Sequence, residues 1–220
     1  MPKTTVHLLR HGEVHNPDRI LYGRIPGYGL SELGFDMAQR AGEHFTAQRE
    51  SGAKLVRLVA SPLLRAQQTA EPTSQALDLP IHTDERVIEA GNRFEGLSRV
   101  ASKLREPRYW SYVVNPFKPS WGEPYREQVS RMRAAMDEHR KAALAEAGDG
   151  AQVVIVSHQL PIWVTRRASQ RQPLWHDPRQ RECTLTSITS FEFEGDQLVN
   201  LVYNEPNADL LAGAANIPGA

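Results

Sequence analysis

The chain has 220 residues, 40% of them hydrophobic and 24% charged, with Lys+Arg and Asp+Glu balanced at 26 each. That is the composition of one globular domain that buries a core without disulfides, and its neutral balance argues against bulk nucleic acid or an anionic membrane as the main partner. The lone cysteine, Cys183, excludes an internal disulfide and a cysteine-based zinc site.

The N-terminal apolar run is too short for a signal peptide, and no segment approaches a membrane span, so the expected compartment is the cytoplasm. "TTVHLL" (4–9) predicts a first strand ending at Arg10. Residues 11–30, rich in Gly and Pro, predict a long loop, and unstructured loops of that length are usually functional. Ser31 is placed to cap a helix over 32–49, with Leu33, Met37, Ala41 and Phe45 at helical spacing. "LVRLVA" (55–60) is a second buried strand. Ser61 before Pro62 predicts an N-cap with proline at the first helical position, and Pro72 predicts a kink or break in that helix.

"IHTDERVIE" (81–89) predicts a short extended piece. Residues 91–125 are irregular, with a short helix expected at 97–105, and read as an insertion covering one edge of the sheet. "EPYREQVSRMRAAMDEHRKAALAEAG" predicts a long amphipathic helix stopping at Gly148. "AQVVIVSH" is a third buried strand ending at His158, with a helix over 160–169 after it. "TSITSFEFEGDQLVNLVY" alternates about a Gly-Asp turn and predicts a hairpin. Residues 1–205 form one domain, and 206–220 read as a flexible tail.

Strands alternating with helices imply an α/β fold, a three-layer α/β/α sandwich with a mostly parallel central sheet. Three buried strands end in polar groups: Arg10-His11-Gly12, Ser61 with Arg65 a helical turn on, and Ser157-His158. Parallel strands put these ends on one edge, where ligands bind in open α/β sheets. Two arginines and two histidines beside helix N-termini make an anion site suited to a phosphoryl group. Glu13 and Glu89 are the carboxylate candidates. Other phosphate chemistries fit worse: there is no GxxxxGKS/T loop, no GxGxxG after a strand and no Asp cluster for Mg²⁺. His11 and His15 stand four apart in a Gly-containing turn and not on a helix, so no metal site is assigned. A Ser-His-Asp site through Ser61 or Ser157 lacks a nucleophile elbow.

"LLRHGEVHN", "ASPLLRAQQTAEP", "VIEAGNRFEGL" and "IVSHQ", in that order, resemble the motifs of the histidine phosphatase superfamily in its phosphoglycerate-mutase-like branch. The resemblance covers residues 4–170 in blocks. It implies a phosphohistidine intermediate on His11, with Arg10, Arg65 and His158 completing the phosphate pocket and Glu89 as proton donor. It also implies a phosphate contact by Asn16, and puts Gly12, Tyr22 and Arg24 near the substrate. No cofactor is implied, because the arginines supply the positive charge; the partner is a small phosphate ester. A homodimer contact stays open. The sequence departs from the family at Gln159-Leu160, and in "YGRIPGYGLSELG" at Ile25 and Tyr28-Gly29, which leaves substrate identity undecided.

The expected activity is therefore metal-independent phosphomonoester hydrolysis. A cofactor-dependent phosphoglycerate mutase and a catalytically idle phosphate-binding regulator are the alternatives. The mutases' long loop after the proton donor is not recognisable, and the aromatic 91–125 stretch suits an apolar or bulky ester. Trp121 reads either as a residue packed over the pocket or as core, the core being favoured, and Cys183 as a small buried hydrophobe. His176, Arg179 and Arg181 either extend the anion site or face solvent, and Glu13 and His15 have no role assigned.

Overall fold

The computed structural model describes residues 1–98, 100–112, 114–115 and 121–214. The strands β1 (Lys3–Arg10), β2 (Lys54–Ala60), β3 (Ile81–Thr83), β4 (Ala151–Ser157), β5 (Ile188–Glu194) and β6 (Gln197–Asn204) form one sheet in the order β3-β2-β4-β1-β5-β6. β1 to β4 run parallel, and the β5–β6 hairpin adds an antiparallel edge beside β1.

The apolar run of β4 is buried on both faces, as a central parallel strand must be. Val153 and Ile155 pack with Met132, Met136 and Ile162, which belong to α4 (Tyr125–Ala147) and α5 (Gln159–Ser169). Val154 and Val156 pack with Phe45, Ala66 and Leu77 on the other face, from α1 (Glu32–Glu50) and α2 (Leu64–Leu77). These are the three layers expected. Ser31 caps α1 by accepting the Gly34 N–H at 3.0 Å, Gly148 ends α4 at φ 72°, and the hairpin turns at Gly195-Asp196.

Several local expectations are corrected. α2 starts at Leu64, with Leu63 and not Ser61 at its cap. The Ser61 hydroxyl faces His158 instead, so the tertiary contact takes the group that would have capped the helix. Pro72 neither breaks nor interrupts α2. There α2 lies so close to α1 that a Cβ on Gly42 would stand 3.1 Å from the Pro72 carbonyl carbon, and this packing outweighs one lost amide bond. Of 81–89, only β3 is a strand, followed by a 3₁₀ turn at Glu85–Val87.

The helix expected at 97–105 shrinks to α3 (Val100–Lys103), with a 3₁₀ turn at Pro107–Tyr112. The described parts of the 91–125 segment bridge the 11–30 loop through Ile20 and Ser98. The start of the supposed flexible tail is anchored. Asn207 is buried, its amide donating to Met37 O and Thr186 Oγ1, and Asp209 pairs with Arg40. Residues 215–220 of that tail lie outside the described residues. Among the described residues, no helix is long and apolar enough to cross a membrane.

Candidate active site

Register alone assembles the centre. Arg10 pairs with Ser157 across β1 and β4, His11 N–H donates to Ser157 O at 3.1 Å, and Ser61 N–H donates to Val156 O at 3.0 Å. The three strand ends therefore meet. The His11 and His158 rings stand 5.2 Å apart, and both are fully buried.

His11 Nδ1 is 2.7 Å from the Gly12 carbonyl. A carbonyl only accepts, so Nδ1 carries the proton and Nε2 keeps its lone pair. Burial, with Arg65 and Arg10 alongside, holds this imidazole well below its usual pKa, so it is neutral at pH 7. His158 is held low by burial and by Arg65 and His11, and its Nε2 meets Ser61 Oγ at 2.8 Å. Among the described residues its Nδ1 has no partner and no carboxylate completes a Ser-His-Asp triad there. Ser157 Oγ donates instead to Val87 O, at 2.7 Å.

Arg10 donates from Nη1 to Cys183 O at 2.7 Å. Arg65 donates from Nη2 to Gly23 O at 2.7 Å, and its guanidinium carbon lies 4.6 Å over the Tyr22 ring. Both arginines are buried. His11 Nε2, His158 Nδ1 and Arg65 Nε are buried without a protein partner among the described residues. Unpaired buried polar atoms gathered in one place are what an anion site presents.

Burial pushes the Glu89 carboxyl up, against the Ala90 N–H at 2.8 Å and the pull of Arg65, Arg181 and Arg10. Arg24 grips the Glu89 carbonyl at 2.6 Å and Glu123 at 2.9 Å. It is thus a brace behind the carboxylate. Tyr22 is a buried platform under Arg65, stacked on Tyr28.

Gly12 packs against the start of α1. A Cβ there would stand 2.6 Å from Gly34 O, and one on Gly34 would stand 2.0 Å from Glu13 O. These glycines let the motif loop touch the first turn of α1. Glu13 accepts from Ser31 Oγ and so holds the same contact. Asn16 spends its amide on Ile20, donating to Ile20 O at 2.8 Å and accepting Ile20 N–H at 3.0 Å. His15 is exposed, and among the described residues no group of His, Cys, Asp and Glu is placed to hold a metal ion.

A half-enclosed cavity adjoins Glu89. Trp121 lines it and is not core; Gln159, Leu160 and Arg181 line it too. Polar and apolar groups share its wall. Arg181 is the cavity residue that the sequence left undecided. It follows a stretch with no helical or strand period, and its "RQREC" context carries no motif. Arg179 by contrast is exposed and paired with Asp177. Cys183 is fully buried, and burial pushes its thiol pKa up.

A profile of the histidine phosphatase superfamily (branch 1) matches residues 6–206. The chain belongs to the histidine phosphatase superfamily. An uncharacterized protein of Mycobacterium tuberculosis, Rv0525, is 47% identical over 212 residues, covering 94% of this chain and 100% of the relative. A probable phosphoglycerate mutase of Escherichia fergusonii, GpmB, is 28% identical over 190 residues, 83% of each chain. Among solved structures, a mycobacterial glucosyl-3-phosphoglycerate phosphatase superposes with a TM-score of 0.71 at 22% identity, covering 92% of this chain and 97% of that one. That likeness is one of fold.

Proposed function

We propose that this histidine phosphatase hydrolyses phosphomonoesters through a phosphohistidine on His11, without a metal ion. One observation carries the reading: a buried, neutral imidazole with Nδ1 pinned by Gly12 O, and with Arg10 and Arg65 as its neighbouring charges. The His11 Nε2 lone pair attacks phosphorus, and the ester P–O bond breaks as the P–N bond forms. Arg10 and Arg65 stabilise the phosphoryl oxygens, which is most of catalysis in phosphoryl transfer, and His158 donates to one of them. Glu89, whose pKa is raised by burial, gives its proton to the leaving oxygen. Water then attacks phosphorus and passes a proton to the Glu89 carboxylate. The P–N electron pair returns to His11, and phosphate leaves. Asn16 keeps one side-chain N–H beyond its bonds to Ile20 for the phosphate.

The test is hydrolysis of p-nitrophenyl phosphate in EDTA, with rapid acid and alkaline quench. The expected result is metal-free turnover and an acid-labile, alkali-stable phosphoenzyme that His11→Ala lacks. Full activity in His11→Ala overturns the mechanism. Release of no phosphate, but interconversion of phosphoglycerates with a bisphosphate primer, would make the protein a mutase like the one its relative is named for. A bound phosphate with no turnover of either kind would make it an idle binder.

A further inference from the structure

The cations around the reaction centre are matched unevenly. Arg24 and Arg131 share Glu123, at 2.9 and 2.7 Å. Arg10 and Arg65 face the phosphoryl position. Arg181 lines the same cavity as Glu89, yet no carboxylate among the described residues lies within ion-pair distance of it. Its hydrogen bonds go to neutral acceptors, from Nε to His176 Nε2 at 2.9 Å and from Nη1 to Gln159 Oε1 at 3.3 Å.

His176 is neutral for a stated reason. Its Nδ1 donates to Leu174 O at 2.8 Å, leaving Nε2 to accept, and burial holds its pKa at about 4. His176 and Gln159 thus orient the guanidinium without cancelling its charge. The carboxyl whose charge acts on Arg181 is that of Glu89, which must be protonated to serve as the donor. At the moment of reaction Arg181 is a partly buried cation with no counter-ion. Such a charge is costly unless a ligand completes it.

We infer that Arg181 binds a carboxylate on the leaving group, so that the pocket selects phosphomonoesters of hydroxy acids over those of neutral alcohols. This rests on the hydrolase reading above and deepens it. Arg181 shares its cavity with the donor to the leaving oxygen, so what it holds belongs to the leaving alcohol and not to the phosphoryl group. One arginine fork suits one monoanion, and carboxylate matches its planar donors. The cavity wall also carries Glu123, which opposes a second dianion. His176 is a positioning residue.

The test pairs 3-phosphoglycerate with glycerol 3-phosphate, which differ by a carboxylate in place of a hydroxymethyl group. Each is run as a competitor of p-nitrophenyl phosphate, and each is titrated by calorimetry. The wild type should bind 3-phosphoglycerate about 10- to 100-fold more tightly, the range expected of a charge-assisted pair. Arg181→Gln should lose that preference, and Arg181→Lys should keep part of it. Arg181→Gln should also melt no lower than the wild type, because it removes an unpaired charge. Equal affinities in the wild type, a preference that survives Arg181→Gln, or a melting temperature lowered by several degrees overturns the inference. Failure of the hydrolase reading is visible separately, as p-nitrophenyl phosphate turnover that is absent or independent of His11; the calorimetric titrations decide on Arg181 even then.

Discussion

The guanidinium of Arg65 rests on the ring of Tyr22, 4.6 Å from centroid to carbon, while its Nη2 holds the carbonyl of the next residue, Gly23. A residue of α2 is thereby locked to the 11–30 loop. The loop is held by the arginine and, in return, aims it at His11. Replacing Tyr22 with Leu removes the platform. We expect kcat/KM for p-nitrophenyl phosphate to fall about 10-fold, with Tyr22→Phe recovering most of it, since a partly desolvated cation–π contact is worth about 1–2 kcal/mol. Equal losses in both variants would point to the hydroxyl and not the ring.

Glu89→Gln should lower kcat by about 10² to 10⁴ for alkyl phosphates. The loss should be smaller for p-nitrophenyl phosphate, whose leaving oxygen needs no proton. The pH profile follows from the two shifts. Glu89 works protonated and its pKa is raised, so the basic limb moves toward neutrality. His11 works neutral and its pKa is lowered, so the acidic limb sits well below 6.5. The basic limb should vanish in Glu89→Gln; its persistence would assign the donor elsewhere.

Much of this centre was visible in the sequence because a strand's polar end is a local signal. Arg10, His11, Ser61 and His158 follow apolar runs, and parallel pairing alone brings them together. Tyr22 and Arg181 were harder. Each takes its role from a partner far along the chain, in segments with no period of 2 or 3.6 to place them. Ser61 shows the same limit from the other side. Its local pattern is that of a helix cap, and the tertiary bond to His158 overrides it.

Gly34→Ala should be among the more destabilising single-methyl changes in the chain. Its Cβ would enter the Glu13 carbonyl at 2.0 Å, and neither backbone has a flexible end to give way. Overpacking of this kind costs about 1–3 kcal/mol. Urea titration should show a lower midpoint, with activity falling too because Glu13 adjoins the His11 motif. An unchanged midpoint would mean the loop lifts freely from α1.

Acid should weaken the fold through its buried neutral histidines. His176 titrates at about 4 when folded and near 6.5 when unfolded, so between those values the unfolded chain binds more protons. Stability present above pH 6.5 is therefore lost as pH falls toward 4. His7, His11 and His158 act in the same direction. Melting temperatures from pH 7.5 to 4.5 should decline, and less steeply in His176→Phe, which keeps a ring against Tyr125 and Trp163. Parallel slopes in the two proteins would exclude His176 as a contributor.

The bond from Arg10 to the Cys183 carbonyl joins the first strand to a segment made 173 positions later. Thr186 N–H and Ser187 O close on His11 and Arg10 in the same way. On the hydrolase reading, His11 is therefore made well before the segment that closes its pocket, and a nascent chain gains activity only after residues 183–187 have docked beside β1.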